Sequence, residues 1–229
     1  MKLYQLFLTH KRRIFIGVFA SLIAGFAILS YFVAITPPSF VDLYISREIQ
    51  ERHNTLLDGL MTLISGFGVI WVSGGVVAAT ALVFRLLSYA REAAFTLLTL
   101  VAGAISSGLK VVIGRPRPTE DLVTIIEKAQ HESFPSGHTL FYTVFFGFMI
   151  IIMGNRKKFP QWLRVSVVLF CGAMIFLGPV SRVYLGAHWF TDVLGGFVLG
   201  IIYLFILSYF YLFNKKKVGA PIPDAANKS

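Results

Sequence analysis

Residues 165–213 read "VSVVLFCGAMIFLGPVSRVYLGAHWFTDVLGGFVLGIIYLFILSYFYLF". Two apolar runs of nearly bilayer-spanning length flank the polar stretch "SRVYLGAHWFTD", residues 181–192. A helix needs about 20 apolar residues to cross a bilayer, and ionisable groups beside hydrocarbon are costly and usually functional. This part of the chain therefore predicts two membrane helices joined by a functional turn.

The same apolar character extends outward over the whole chain. Of its 229 residues, 56% are hydrophobic and 14% charged, whereas a soluble domain carries about 25% charged residues. The fourth apolar run begins at Leu140 and crosses the bilayer only if its helix begins near Ser136. We therefore predict an all-α fold, a six-transmembrane-helix bundle made by one domain over residues 1–229. The predicted spans are about 14–35, 60–84, 93–113, 136–153, 165–183 and 189–213.

The formal net charge of +10 is distributed unevenly. With a cytoplasmic N-terminus and alternating spans, most of the 21 lysines and arginines lie on the cytoplasmic side, together with only two acids, Glu92 and Asp224. This bias follows the positive-inside rule and predicts that both termini are cytoplasmic. Basic runs such as "NKKKV", residues 214–218, then contact lipid headgroups, and neither nucleic acid nor a protein partner is expected.

Two features concern local structure and packing. In the external segment 119–134, Thr119 can cap a helix whose apolar residues follow at helical spacing from Leu122. We predict a short helix there, which either lies on the membrane surface or covers a site. Gly196 and Gly200 form a G-x-x-x-G pattern in the sixth span, which favours close helix packing within one bundle.

Three polar clusters are predicted to lie on the external side of the membrane. The first, residues 110–118, reads "KVVIGRPRP" and ends the third span. The second, residues 135–138, reads "PSGH" and begins the fourth span, and the third is residues 181–192. Segments far apart in sequence thus meet at one depth, as in sites built between membrane helices.

The chemistry of these clusters suits a phosphate group. Their cations are Lys110, Arg117 and Arg182. Arginine forks match phosphate oxygens bidentately, and the N–H groups of a helix that opens at "PSGH" point at an anion. The hydroxyl of Ser136 adds a donor, and Gly137 has no side chain to exclude the ligand. For Arg115 two interpretations stay open, a fourth phosphate ligand or a side chain that reaches lipid headgroups.

The histidines are predicted to act on that phosphate. His188 and Asp192 are four residues apart, so they share one face of a helix. Asp192 can accept the Nδ1 proton of His188 and leave Nε2 free as a nucleophile. His138 comes from another helix and is the predicted general acid. Two histidines and a carboxylate also fit an iron or zinc site, but the surrounding cations would repel a metal, so no metal or other cofactor is predicted.

Taken together, the motifs resemble the signature of the type 2 phosphatidic acid phosphatase superfamily. "KVVIGRPRP" matches K-x6-R-P, "PSGH" is identical, and "SRVYLGAHWFTD" matches S-R-x5-H-x3-D. The six predicted spans suit the membrane branch, and size and topology are most similar to its bacterial phosphatidylglycerophosphatase B group.

The resemblance implies a metal-independent phosphoric monoester hydrolase of the bacterial plasma membrane, with its active site at the extracytoplasmic face. It implies a phosphohistidine on His188, with the substrate phosphate held by Lys110, Arg117, Ser136, Gly137 and Arg182. Phosphatidylglycerophosphate is the first expected substrate, and undecaprenyl diphosphate is the alternative. A protein of another class, which binds or transports a lipid phosphate without cleaving it, also remains open, although binding alone gives no reason for His138, His188 and Asp192.

Overall fold

The computed structural model describes residues 2–213, with side chains described from residue 13 to residue 212. The described residues form helices and no strand. The basic run 214–218 and Asp224, which the topology prediction uses, lie outside the described residues. The helices are α1 Lys2–Ile35, α2 Phe40–Gln50, α3 Thr55–Gly66, α4 Ile70–Leu86, α5 Ala90–Leu98, α6 Val101–Ile113, α7 Gly137–Asn155, α8 Gln161–Tyr184 and α9 Phe190–Phe213.

Five helical stretches among the described residues are long and apolar enough to cross a membrane. They are Arg13–Ile35, Ala90–Ile113, Gly137–Asn155, Gln161–Tyr184 and Phe190–Leu212. The helices α3 and α4 pass the same test only as a pair, which raises the number of candidate spans to six. The chain is therefore an all-helical, multi-span membrane protein.

The second predicted span is not one continuous helix. Its two halves, α3 and α4, meet at a bend of 57°. Gly66 and Gly68 flank Phe67 at this break, and glycine weakens a helix interior by about 1 kcal/mol relative to alanine. Gly68, at this break, lies directly against the ring of His138. A Cβ on Gly68 would lie 2.2 Å from Cδ2 of His138, so a residue without a side chain is needed there.

Helix α7 lies at the centre of the bundle. It begins directly after Ser136, the start that the fourth predicted span needs in order to cross the bilayer. Ser136 is its N-cap, and its Oγ accepts a hydrogen bond of 3.4 Å from the N–H of Thr139. One π-helical segment, Tyr142–Phe146, interrupts the helix. Tyr142 and Phe148 are fully buried. The predicted catalytic "PSGH" thus opens the most buried span of the protein.

The G-x-x-x-G pattern packs α9 against α7, as predicted. A Cβ on Gly196 would lie 2.5 Å from the carbonyl oxygen of Ser136, and one on Gly200 would lie 2.6 Å from Cβ of Thr143. The two glycines therefore let the backbones of α9 and α7 approach closely within one chain. This contact fixes the start of α7 against the first turns of α9.

The prediction of a helix in the external segment 119–134 is wrong. The segment is an irregular loop of turns and bends. The N–H groups of Leu122 and Val123 donate to the carbonyl oxygen of Thr119, but those of Ile126 and Glu127 both donate to the carbonyl oxygen of Leu185 at 3.0 Å. Tertiary hydrogen bonds have thus replaced the helical ones that the local spacing favours.

Candidate active site

The turn between α8 and α9 carries His188 and is held against the loop 119–134, which we name the external loop after its predicted side of the membrane. Gly186 has a φ of +69°, a left-handed conformation that glycine adopts without strain. A Cβ on this residue would lie 2.2 Å from the carbonyl oxygen of Thr124. Glycine is therefore needed at this position both for its conformation and for the close approach of the loop.

His188 is buried at the centre of the polar cluster, with 2% of its surface exposed. Its Nε2 lies 3.2 Å from Nη1 of Arg117. Its Nδ1 lies 3.3 Å from Oγ of Ser133 and 3.5 Å from Oδ2 of Asp192. Both distances are slightly longer than an ordinary hydrogen bond, and Ser133 shares the side of the imidazole that the sequence assigned to Asp192 alone. The prediction that His188 and Asp192 share a helix face is wrong, because α9 begins at Phe190 and His188 lies in the turn before it.

The surroundings of His188 favour its neutral form. Burial lowers the pKa of His188 well below its usual value, and the nearby cations Arg117, Arg182 and Lys110 lower it further. A neutral imidazole has a lone pair, which a nucleophile requires.

Asp192 is fully buried and is held by several donors besides the histidine. Its Oδ2 accepts from the N–H of Trp189 at 2.9 Å and from the hydroxyl of Ser133. Its Oδ1 accepts from Nη1 of Arg115 at 2.5 Å. A carboxylate so fully bonded has little freedom to rotate.

The structure places Arg115 in neither of the two roles left open by the sequence. Its side chain is 3% exposed, so it does not reach lipid headgroups. Its guanidinium joins Asp192 to Asp42 of α2, at 2.8 Å from Oδ2 of the latter. Arg115 thus lies behind the aspartate and is bonded to carboxylates, not placed as a phosphate ligand.

Two of the predicted phosphate ligands, Lys110 and Arg117, hold the external loop. Nζ of Lys110 donates to the carbonyl oxygens of Glu132 at 2.5 Å and Ser133 at 3.2 Å. Arg117 donates to several loop and turn carbonyls at 2.6–3.2 Å, those of Gln130, His131, Glu132 and Ala187. Both cations therefore stand beside the histidine with main-chain oxygens as partners.

Arg182, the third predicted cation, is paired with a carboxylate. Its Nη1 lies 2.9 Å from both carboxylate oxygens of Glu127 and also donates to the hydroxyl of Ser65. Among the described residues, its buried Nε has no hydrogen-bond partner. The carboxylate of Glu127, a side chain of the external loop, therefore already pairs with this guanidinium.

The "PSGH" motif contributes one free ring nitrogen and one helix start. In the described part of the chain, Nε2 of His138 is buried without a hydrogen-bond partner. The hydroxyl of Ser136 accepts from Thr139 in its capping role, and the N–H of Ser136 donates to the carbonyl oxygen of Asp192 at 3.0 Å. Gly137 opens the helix, and its missing Cβ would lie 3.4 Å from Oγ of Ser106.

A cavity of about 440 Å³ lies between the external loop and the turn that carries His188. Its lining includes Arg117, Glu127, Gly186 and Ala187. Arg117 and Glu127 also belong to the polar cluster around His188. The cavity therefore adjoins this cluster and can hold part of a ligand.

Several site residues were not predicted from the sequence. Ser133 stands beside the "PSGH" motif, and Thr191 lies inside the third motif, so their positions were a usable signal. Glu127 and Asp42 are ordinary surface-type acids in the sequence, and only the folded chain shows them paired with buried arginines.

A family model described as the PAP2 superfamily matches residues 91–216, more than half of the chain. The chain belongs to this superfamily. The resemblance read from the three motifs is thereby confirmed. The matched range contains all three motifs, whereas Asp42 and Ser65 lie outside it.

Two curated proteins and one crystal structure show the similarity of this chain to known members of the superfamily. It is 33% identical over 117 residues to phosphatidylglycerophosphatase B of Bacillus subtilis, covering 50% of this chain and 56% of that protein. It is 28% identical over 163 residues to an undecaprenyl-diphosphatase of Bacillus subtilis, covering 70% and 78%. A crystal structure of a transmembrane PAP2-type phosphatidylglycerolphosphate phosphatase from Bacillus subtilis superposes with a TM-score of 0.68, at 26% identity over 84% of this chain and 94% of that one.

The matched part of the chain spans little more than half of the first of these relatives. The structural match is more extensive and covers nearly all of the crystallised chain. The helical fold is thus shared over 84% of this chain.

Proposed function

We propose that this protein is a metal-independent lipid phosphate phosphatase that hydrolyses phosphatidylglycerophosphate to phosphatidylglycerol and phosphate. The observation that carries the proposal is the position of His188. Its ring is buried, its Nε2 lies beside Arg117, and its Nδ1 faces Ser133 and Asp192. A neutral imidazole among cations is suited to attack a phosphoryl group.

The proposed reaction has two steps. In the first, Nε2 of His188 attacks phosphorus while the bond to the lipid oxygen breaks, and His138 donates a proton to that oxygen. In the second, His138 takes a proton from water, the water oxygen attacks phosphorus, and the bond between phosphorus and His188 breaks. Asp192 and Ser133 orient the imidazole and stabilise its positive charge.

We assign phosphate binding to Lys110, Arg117, Ser136, Gly137 and Arg182, as predicted. Nε of Arg182 and Nε2 of His138, which have no hydrogen-bond partner within the described part of the chain, support this assignment, since buried polar atoms usually have partners. In this proposal the phosphoryl group takes the place of the Glu127 carboxylate on Arg182.

A second substrate, undecaprenyl diphosphate, remains a candidate for one specific reason. The undecaprenyl-diphosphatase relative matches 70% of this chain, against 50% for the phosphatidylglycerophosphatase. Both substrates are lipids with a terminal phosphate, and the cluster of cations and histidines recognises that shared group. The relatives reported above carry phosphatase names, which favours hydrolysis over transport.

We further propose that residues 1–229 form one domain of six spans in the bacterial plasma membrane, with cytoplasmic termini and an external active site. The two ends of the bundle carry different polar groups. The histidines lie at one end, whereas Glu92 at the start of α5 bonds to Arg156 after α7 and to the hydroxyl of Tyr211 near the other end of α9.

The test is phosphate release from a panel of lipid phosphates by the purified protein in EDTA, with His188→Ala prepared in the same way as the control. We expect release from phosphatidylglycerophosphate, and inhibition by vanadate, which adopts the five-coordinate shape of the transition state. A preference for undecaprenyl diphosphate would select the second candidate.

Two results would contradict the proposal. Activity that disappears in EDTA and returns with zinc or magnesium would place a metal in the mechanism. Lipid phosphate binding without release of phosphate from any member of the panel would identify a binding or transport protein instead.

A further inference from the structure

Asp42 of the external helix α2 is fully buried beside the candidate active site. It lies outside the residues that the family model matches, and none of the three motifs contains it. Its Oδ2 accepts a hydrogen bond of 2.8 Å from Nη2 of Arg115. A buried charge is costly unless it is paired, so this carboxylate and this guanidinium depend on each other.

Arg115 divides its two terminal nitrogens between two aspartates. Nη2 bonds to Asp42, and Nη1 bonds at 2.5 Å to Oδ1 of Asp192. A guanidinium is planar, so fixing one nitrogen fixes the direction of the other. Asp42 thereby sets the direction from which Arg115 holds Asp192, and Oδ2 of Asp192 is left facing His188.

Thr191 closes the network at the start of α9. Its backbone N–H and its hydroxyl both lie 2.9 Å from Oδ1 of Asp42, and the hydroxyl also accepts from Nη1 of Arg115 at 2.6 Å. The N–H of Trp189 bonds to Asp192. Two carboxylates therefore satisfy N–H groups at this helix start and anchor the turn that carries His188.

We infer that Asp42 is a positioning residue for the proposed phosphatase reaction, acting through Arg115 to hold Asp192 towards His188. This inference rests on the proposed function. Among the described residues, Asp42 has no hydrogen bond or ion pair with a predicted phosphate ligand, so its effect should fall on the chemical step and not on phosphate binding. Without the Asp42 charge, Arg115 would keep its ion pair with Asp192 and would draw that carboxylate away from the imidazole.

A purely structural role is the alternative, because Asp42 also belongs to the N-terminal cap of α2. Its Oδ2 accepts from the N–H of Ser39 at 3.2 Å and from its hydroxyl at 3.0 Å, and the Ser39 hydroxyl accepts from the N–H of Asp42. Ser39→Ala removes the side-chain half of this cap and leaves Arg115 bonded. The two roles can therefore be separated by mutation.

The experiment compares Asp42→Asn, Asp42→Glu and Ser39→Ala with the wild type on a lipid phosphate that the wild type hydrolyses. Glu48→Gln is the matched control, the same change at an exposed position of the same helix. For each variant we would measure kcat, KM, inhibition by inorganic phosphate and melting temperature. These readouts separate loss of chemistry from loss of binding or of folding.

We expect Asp42→Asn to lower kcat by about 10- to 100-fold, the range typical of residues that act through a functional group they orient. KM and phosphate inhibition should change little, and Asp42→Glu should recover part of kcat. Ser39→Ala should lower the melting temperature and leave kcat near that of Glu48→Gln.

If Asp42→Asn does not accumulate as folded protein, Thr191→Val tests the same network with a side chain of similar shape. Loss of its hydroxyl should lower kcat, and Thr191→Ser should restore it. The inference is wrong if kcat of Asp42→Asn equals that of Glu48→Gln, if kcat and phosphate binding fall together, or if Thr191→Val retains full kcat. A wild type that releases no phosphate would instead contradict the proposed function.

Discussion

At the scale of single residues, the two histidines come from different elements, His188 from the turn before α9 and His138 from α7, and should fail in different ways. His188→Ala should lose turnover and form no phosphoenzyme, yet still bind phosphate, because the cations remain. Asp192→Asn should keep the fold and lose activity by roughly 10⁴-fold, by analogy with the triad aspartate of serine proteases. Acid-labile phosphoenzyme trapped by rapid quench measures the first step, and its normal formation by His188→Ala would contradict the assignment.

His138→Ala should discriminate between leaving groups. A lipid alkoxide needs a proton as it departs, so we expect a loss of about 10²- to 10⁴-fold on a lipid phosphate. An aryl phosphate leaves with little protonation and should show a much smaller defect. Turnover of both substrates by one preparation is the measurement, and equal defects on both would remove the acid role of His138.

The pKa of His188 predicts how the protein responds to acid. Because burial and neighbouring cations lower this pKa, the folded ring should stay neutral as the pH falls through about 6.5, the usual histidine value. The unfolded chain binds that proton earlier, so His188 should make the folded state less stable below this pH. Histidine ¹⁵N NMR in micelles, assigned with His188→Ala, would show the neutral ring, and titration near 6.5 would contradict the prediction.

At the scale of elements, Gly68 at the bend between α3 and α4 leaves room for His138, the proposed general acid. A Cβ on Gly68 would overlap the ring of His138, whereas one on Gly66 would meet nothing within 4 Å. We expect Gly68→Ala to displace His138 and lower activity on a lipid phosphate by about 100-fold, as misplacement of about 1 Å can. Gly66→Ala is the matched control for helix propensity, and equal activity of the two variants would show that the bend does not serve His138.

The external loop should compete with phosphate for Arg182. Its Glu127 carboxylate, which is 31% exposed, pairs with that buried guanidinium, and removing this partner leaves the buried charge of Arg182 uncompensated. Glu127→Gln should therefore lower the melting temperature without phosphate and increase the stabilisation that added phosphate produces. Glu120→Gln, which affects an exposed ion pair with Lys128, is the control. Equal phosphate stabilisation in both variants would mean that phosphate does not replace Glu127.

At the scale of the whole molecule, the prediction is a topology. Reporter fusions at Arg156 and at Thr119 should lie on opposite sides of the membrane, with Arg156 cytoplasmic. The reason is that most basic residues fall on the side of Arg156 under the alternating arrangement of spans. Reporters found on the same side would exclude this arrangement.

The sequence by itself determined the class of fold and the family, and it predicted the central site residues. Apolar length predicted the spans, because a helix must cover the bilayer whatever it packs against. Motif spacing predicted that His188 and Asp192 meet, since four residues are one helical turn, although His188 lies in the turn before α9 and not on its face. Both inferences depend on geometry that is local along the chain.

Only the tertiary structure decided what surrounds those residues. Arg115 bonds to Asp42, 73 positions away, and Arg182 bonds to Glu127, 55 positions away. The segment 119–134 does not form its predicted helix, because the N–H groups of Ile126 and Glu127 donate to Leu185 in the turn before His188. Buried charges and backbone donors must be paired, but any of several distant groups can satisfy them, so local periodicity does not select the partner.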